Sequence, residues 1–237
     1  MEKVILPDGS TYRYRLVTLF PGVKRIDKEV AAENLSLLKK VFDENHIVFQ
    51  LAFGSLLGAV REHDFISHDE DIDLALLDDY RVAFLRLLPT LRKEGFELCR
   101  FDRRDLYSLM RKGEYIDLYF FRPYNEILSI CSGWVIKTSH LTNSMLYPFK
   151  DEMYNIPAEY ESYLVGNYGQ NWMQPVVWNN YNPPMWKKLF FSLKEKIKMS
   201  LPEKMFTPLA SKAAAALTQR SIKKLLDEGI IEKSSVS

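Results

Sequence analysis

Cysteine is scarce in this chain: Cys99 and Cys131 are the only two in 237 residues, and no C-x-x-C spacing occurs. Neither a disulfide framework nor a thiolate zinc site is indicated, and two reduced thiols are expected. Long apolar runs are missing too; no stretch reaches the roughly 18 residues needed for a transmembrane helix. The opening MEKVILPDGSTYRYRL has too short an apolar run for a signal peptide, so a cytoplasmic location is expected. Nor is there an excess of one charge, with 32 Lys and Arg against 31 Asp and Glu and a formal net charge of +1. Binding a long polyanion calls for a clustered basic face, so DNA and RNA are not expected as partners. What remains is the composition of an ordinary globular protein, 47% hydrophobic and 27% charged, long enough for one domain or one domain with an appended element.

Against that background the acids are placed unusually. Phe53 to Leu76 reads FGSLLGAVREHDFISHDEDIDLAL, which sets a Gly-Ser pair at the mouth of an apparent helix and then Asp69, Asp71 and Asp73 at alternating positions. Asp71-Ile72-Asp73 runs into Leu74-Ala75-Leu76-Leu77, the pattern of an internal strand, on which alternate side chains share a face. Both carboxylates therefore point the same way, with backbones roughly 7 Å apart, close enough to converge on one metal or a metal pair. Asp117 sits in a similar apolar run, Glu114-Tyr115-Ile116-Asp117-Leu118-Tyr119-Phe120-Phe121. Alone, it reads equally well as a buried acid satisfied by backbone amides or an Arg. Together, three carboxylates on neighbouring strands are what hard, oxygen-seeking ions such as Mg²⁺, or Mn²⁺, require. At the strand-to-helix junction, Gly54 lets a backbone approach closely and the first amides of the helix lack internal partners, so they suit phosphate oxygens. Ser55 adds a hydroxyl. Arg61 reads either as a fork for phosphates or as an exposed helix-terminal Arg.

These residues carry a family resemblance. Gly54-Ser55-Leu56-Leu57-Gly58-Ala59-Val60-Arg61, then Phe65-Ile66-Ser67-His68, then Asp69-Glu70-Asp71-Ile72-Asp73 are similar to the LicD/fukutin branch of the nucleotidyltransferase superfamily. Asp117 and the ending Ile156-Pro157-Ala158-Glu159-Tyr160-Glu161-Ser162-Tyr163-Leu164 with Asn167-Tyr168-Gly169 continue it, over roughly residues 27 to 178. Ser67-His68 departs from the Pro-Trp common there. The resemblance implies an α/β (α+β) nucleotidyltransferase fold, a mixed sheet flanked by helices with a helical C-terminal extension. It also implies transfer of a phospho-substituted group, of phosphocholine or polyol phosphate type, from a CDP-linked donor to a hydroxyl of a cell-surface glycan or a lipid-linked sugar. In that scheme Asp71, Asp73 and Asp117 hold metal and Asp117 takes or orients the acceptor proton. Gly54, Ser55 and Arg61 hold the donor phosphates, with His68 and Asp69 as substrate contacts. Two other readings use the same residues: transfer of NMP from an NTP to a small-molecule hydroxyl, and a noncatalytic binding or scaffold protein on this fold.

Along the chain, residues 1–26 read as a hairpin element around Pro7-Asp8-Gly9, suited to a sheet edge or to pairing in a homo-oligomer. Residues 27–181 read as the catalytic domain: a helix from Asp27 to Asn45, a strand from Ile47 to Phe53, a helix from Asp78 to Glu94, and strands at 96–101, 106–111 and 115–121. Arg103-Arg104 and Arg111-Lys112 fall at turns, either as solvated charge or as phosphate contacts. Trp172 to Trp186 is dense in aromatics without periodicity, as a packed loop or a sugar or ammonium site. Residues 182–237 carry eleven Lys or Arg against five Asp or Glu. Within them Trp186, Leu189, Phe190, Leu193 and Ile197 form one helical face, with Lys187, Lys188, Lys194 and Lys198 outside it. Such a helix either rests on an anionic membrane surface or packs on the enzyme body or a second subunit.

Overall fold

Pro7-Asp8-Gly9 turns the chain as the composition demands, with Gly9 at φ 83° and the Asp8 carboxylate accepting from the Ser10 amide at 2.9 Å. In the computed structural model, which describes residues 1–19, 24–102, 105–175 and 184–236, this turn joins β1 (Glu2–Ile5) to an antiparallel β2 (Thr11–Tyr14). Alternation puts Val4, Tyr12 and Tyr14 on one face, and all three are buried in the main core. The Arg92 guanidinium lies 4.0 Å from the centroid of the Tyr12 ring, and the Val17 amide donates to the Cys99 carbonyl at 2.8 Å. The hairpin is thus packed into the body.

Helix α1 (Lys28–Glu44) begins where Asp27 accepts from the amides of Glu29 and Val30, and it buries Ala31, Leu35, Leu38, Val41 and Phe42 along one stripe, the amphipathic period expected. After β3 (Gln50–Leu51) and α2 (Phe53–Arg61), the acid-bearing run becomes β4 (Ile72–Leu77), buried except at its last residue. A short 3₁₀ turn, Asp78–Tyr80, leads into α3 (Arg81–Lys93), which buries Phe84, Leu87, Leu88 and Leu91. Strands β5 (Glu97–Phe101), β6 (Leu106–Arg111) and β7 (Glu114–Pro123) follow.

These strands make one mixed sheet in the order β3-β4-β7-β6-β5. Only β4 and β7 pair in parallel; β3 on β4, β6 on β7 and β5 on β6 are antiparallel. The sheet continues from β7 through β8 (Leu128–Cys131) and β9 (Trp134–Lys137). Then come α4 (Ser139–Thr142), a hairpin of β10 (Ser144–Phe149) and β11 (Glu152–Pro157), and α5 (Tyr160–Tyr168). This is the α/β mixed sheet flanked by helices that the sequence predicts. Two helices close the chain, α6 (Met185–Ser200) and α7 (Glu203–Asp227). Helix α7 contacts β9 and α5, and its Ile222 and Leu225 join Leu128, Ile130, Val135 and Ile231 in a second small core. At Gly133 a Cβ would stand 2.9 Å from the Ala214 carbonyl oxygen and 3.0 Å from Leu217, so that turn is bare where α7 crosses it.

Cys99 and Cys131 are buried and free, and burial pushes the Cys99 thiol up to about 12. Arg111 and Lys112 both pair with Glu33 of α1, which favours the turn-charge reading. Arg103-Arg104, and Val176 to Pro183 within the aromatic stretch, lie outside the described residues.

Candidate active site

A parallel register decides the geometry of the acids. Across β4 and β7, Ile72 stands opposite Ile116 and Asp73 opposite Asp117, so two carboxylates from remote parts of the chain become neighbours on one sheet face. Asp71, one residue before β4, points the same way. Carboxylate oxygens of Asp71, Asp73 and Asp117 all lie within 4.8 Å of one another. Asp73 is 7% and Asp117 2% exposed. Burial pushes the Asp71 and Asp73 carboxyls well above the usual carboxylate range, and their neighbours' negative charges add to it: chiefly Asp73 for Asp71, and Asp69 for Asp73. Burial also raises Asp117, against the pull of Arg100. Three carboxylates brought this close could together hold a cation, and an all-carboxylate set suits a hard ion such as Mg²⁺.

Each acid is held by named partners. Asp117 accepts from Ser108 Oγ at 2.5 Å and from the Arg100 guanidinium, while Arg100 Nε also donates to Ser108 Oγ at 2.9 Å. Antiparallel pairing explains why these meet, since Ser108 faces Asp117 across β6 and β7 and Arg100 faces Ser108 across β5 and β6. Asp73 accepts from the Gly54 amide at 3.0 Å, its own amide donates to Ser55 Oγ at 2.9 Å, and the Tyr119 hydroxyl bonds to it and holds its carboxyl down against burial.

The Gly-Ser pair therefore faces the acids. A Cβ on Gly54 would stand 2.3 Å from Asp69 Oδ2 and 3.3 Å from Asp73 Oδ2, so glycine lets α2 begin against two carboxylates. Ser55 is buried, with its hydroxyl bonded to the strand. In this structure both residues hold Asp73, alongside any contact with a donor phosphate. The preceding Phe53 adopts φ 40°, rare for a residue with a side chain, and its amide donates to the Tyr163 hydroxyl at 3.3 Å.

Asp69 lies beside the cluster, raised by burial and lowered in part by its own turn and by His68; its oxygen receives the Glu70 amide at 3.1 Å. His68 is thus placed with the acids. Arg61 is turned another way: its Nη1 donates to the Trp172 carbonyl at 3.1 Å and its Nη2 to Glu62 at 2.7 Å. It ties the segment after α5 to α2. Arg100, Ser108 and Tyr119 are site residues that spacing did not single out. A signal existed, because Arg100 and Ser108 are polar side chains inside the strands ELCRF and LYSLMR.

Next to the acids runs a row of rings. Phe53 lies 4.8 Å from Tyr119 and 5.6 Å from Trp134, centroid to centroid, and Trp134 is 41% exposed.

Residues 46–159 match the family described as LicD/FKTN/FKRP, nucleotidyltransferase domain. Over that span the chain is similar to a LicD-type domain. That span contains Gly54, Ser55 and all three acids of the cluster. Relatives include the ribitol-5-phosphate transferase FKTN of Homo sapiens, 27% identical over 176 residues, which are 66% of this chain and 36% of that protein. The uncharacterized protein RT0683 of Rickettsia typhi is 28% identical over 98 residues, 40% of this chain and 28% of that one. The chain thus spans about a third of the length of the curated relatives it matches. A lincomycin-bound lincosamide antibiotic adenylyltransferase, LnuA, overlaps with a TM-score of 0.42 at 10% identity, covering 68% of this chain and 93% of that one; an overlap so loose carries no inference about substrate. No helix among the described residues is long and apolar enough to cross a membrane.

Proposed function

We propose that this LicD-like domain is a metal-dependent transferase that moves a phospho-substituted group from a CDP-linked donor to a hydroxyl of a glycan or glycan precursor. The observation that carries the reading is the register placing Asp73 beside Asp117, with Asp71 in reach. Asp71, Asp73 and Asp117 would hold Mg²⁺, or Mn²⁺, which when bound offsets negative charge on the donor's phosphate oxygens and on the leaving group. The remaining work falls to the chain. Ser108 and Arg100 fix the Asp117 carboxylate, so that one of its oxygens stays oriented to receive the proton of an acceptor hydroxyl. Gly54 and Tyr119 fix Asp73. The start of α2 and Ser55 lie against the acids, where donor phosphates would sit. His68 and Asp69 border the same side as substrate contacts, and Arg61 holds the segment at Trp172 against α2.

The likeness to a ribitol-5-phosphate transferase supports a polyol phosphate as the group moved, ahead of phosphocholine. Product analysis tests the reading. Incubation with CDP-ribitol, CDP-glycerol or CDP-choline, Mg²⁺ and a sugar acceptor should release CMP and leave the phospho-group on the acceptor. Release of pyrophosphate from an NTP, with a nucleotidylated acceptor, would overturn it in favour of NMP transfer.

A further inference from the structure

Single exposed apolar side chains are normal on a folded protein, whereas a contiguous set marks a contact. Helix α6 presents such a set: Met185, Trp186, Leu189, Phe190, Leu193 and Ile197 are between 54% and 70% exposed. At roughly 100° per residue they share one arc about 140° wide, with Lys187 and Lys194 beyond one rim and Lys196 within the other. Lys187 lies 5.5 Å from the Trp186 ring and Lys194 5.9 Å from that of Phe191. One flank of the helix, beside the Met185 edge of the arc, meets the protein, where Ser192 Oγ and Thr18 Oγ1 share a hydrogen bond at 3.3 Å, while Phe191 on the far side is exposed as well. Among the described side chains of α6, only Lys188 and Ser192 are half-buried. An amphipathic helix normally turns its apolar side inward. Helix α6 does the reverse, while the adjoining α7 buries Ile222 and Leu225.

We propose that α6 seats the protein on an anionic lipid bilayer, its apolar arc level with the upper acyl chains and its lysines among lipid phosphates. Charge selects this occupant. The helix carries five Lys and one Glu; a second α6 would bring the same excess against it, whereas acidic headgroups neutralise it. Bulky apolar side chains within the arc and long cationic ones at its rims are the arrangement of a helix lying in the interface. Sixteen residues with that charge do not span. No residue of the acid cluster enters the argument, so it stands or falls apart from the proposed reaction.

Sedimentation of the full chain with phosphatidylcholine vesicles, with and without phosphatidylglycerol, tests it. The protein should pellet with the anionic vesicles only, with a blue shift in tryptophan emission, and added salt should release it. Lys187→Gln, Lys194→Gln and Lys196→Gln should each lower partitioning about fivefold. The double variant Leu189→Glu, Phe190→Glu should stay in the supernatant with its circular dichroism spectrum and Tm unchanged. Wild-type protein that ignores anionic vesicles at low salt overturns the proposal. So does a concentration-dependent dimer that the double variant splits, since the face is then a subunit interface, and so does unfolding of the double variant, which makes the face part of the core.

Discussion

The three aspartates are not equivalent, because their surroundings differ residue by residue. Asp71 and Asp73 are raised by burial and by neighbouring carboxylates, Asp73 chiefly for Asp71 and Asp69 chiefly for Asp73, so in the metal-free protein their ionised forms oppose folding. Asp117 has a cation of its own in Arg100. Asp71→Asn and Asp73→Asn are therefore expected to stabilise the metal-free fold at neutral pH, since each removes a charge that burial and its neighbours disfavour. Asp117→Asn leaves Arg100, whose side chain is 30% exposed, without its counter-charge and should cost about 2 kcal/mol. Urea denaturation with a chelator measures both. All three should cut turnover more than tenfold, a loss of about 1.4 kcal/mol; a variant above that rate is not a principal ligand. The sequence disclosed the acids because ionised groups inside apolar runs stand out. It concealed Arg100 and Ser108, whose part depends on antiparallel pairing of three strands, which no local pattern specifies.

Elements repeat that division between local and long-range information. Helices α1 and α3 and strands β5 to β7 were legible because their apolar periods are set locally. The stretch from 122 to 157 was not: β8 is buried at all four residues and β10 is exposed at most of its six, so neither alternates as a half-buried strand would. The tail divides into two elements of opposite character, which charge counting over 182–237 had merged. Helix α7 is held where it crosses the bare turn at Gly133, with φ 102° and the Ala214 carbonyl 2.9 Å from a would-be Cβ. Gly133→Ala should strain that turn and push α7 outward, costing about 2–3 kcal/mol. Urea midpoints would register it, and limited proteolysis should cut first within 203–227; unchanged stability would mean α7 contributes little there.

For the whole molecule, the acid cluster makes stability depend on pH and on divalent ions together. Carboxyls raised on folding lend stability below their unfolded pKa of about 3.9 and withdraw it as pH climbs through the raised values. Metal binding offsets that withdrawal, so Mg²⁺ should raise Tm more at pH 8 than at pH 5, where protons compete for the same oxygens. A shift equal at both values would place the ion elsewhere. The β4–β7 register has a kinetic consequence as well. Asp73 and Asp117 meet only after some forty residues, holding α3, β5 and β6, have been looped out, and closing such a loop precedes any reward from the contact. The acid cluster is thus expected to form late in the folding reaction, offering an ion nothing to grip beforehand. Magnesium should leave the refolding rate in stopped-flow unchanged and slow unfolding alone, acting as a latch on the finished sheet rather than as a template for it.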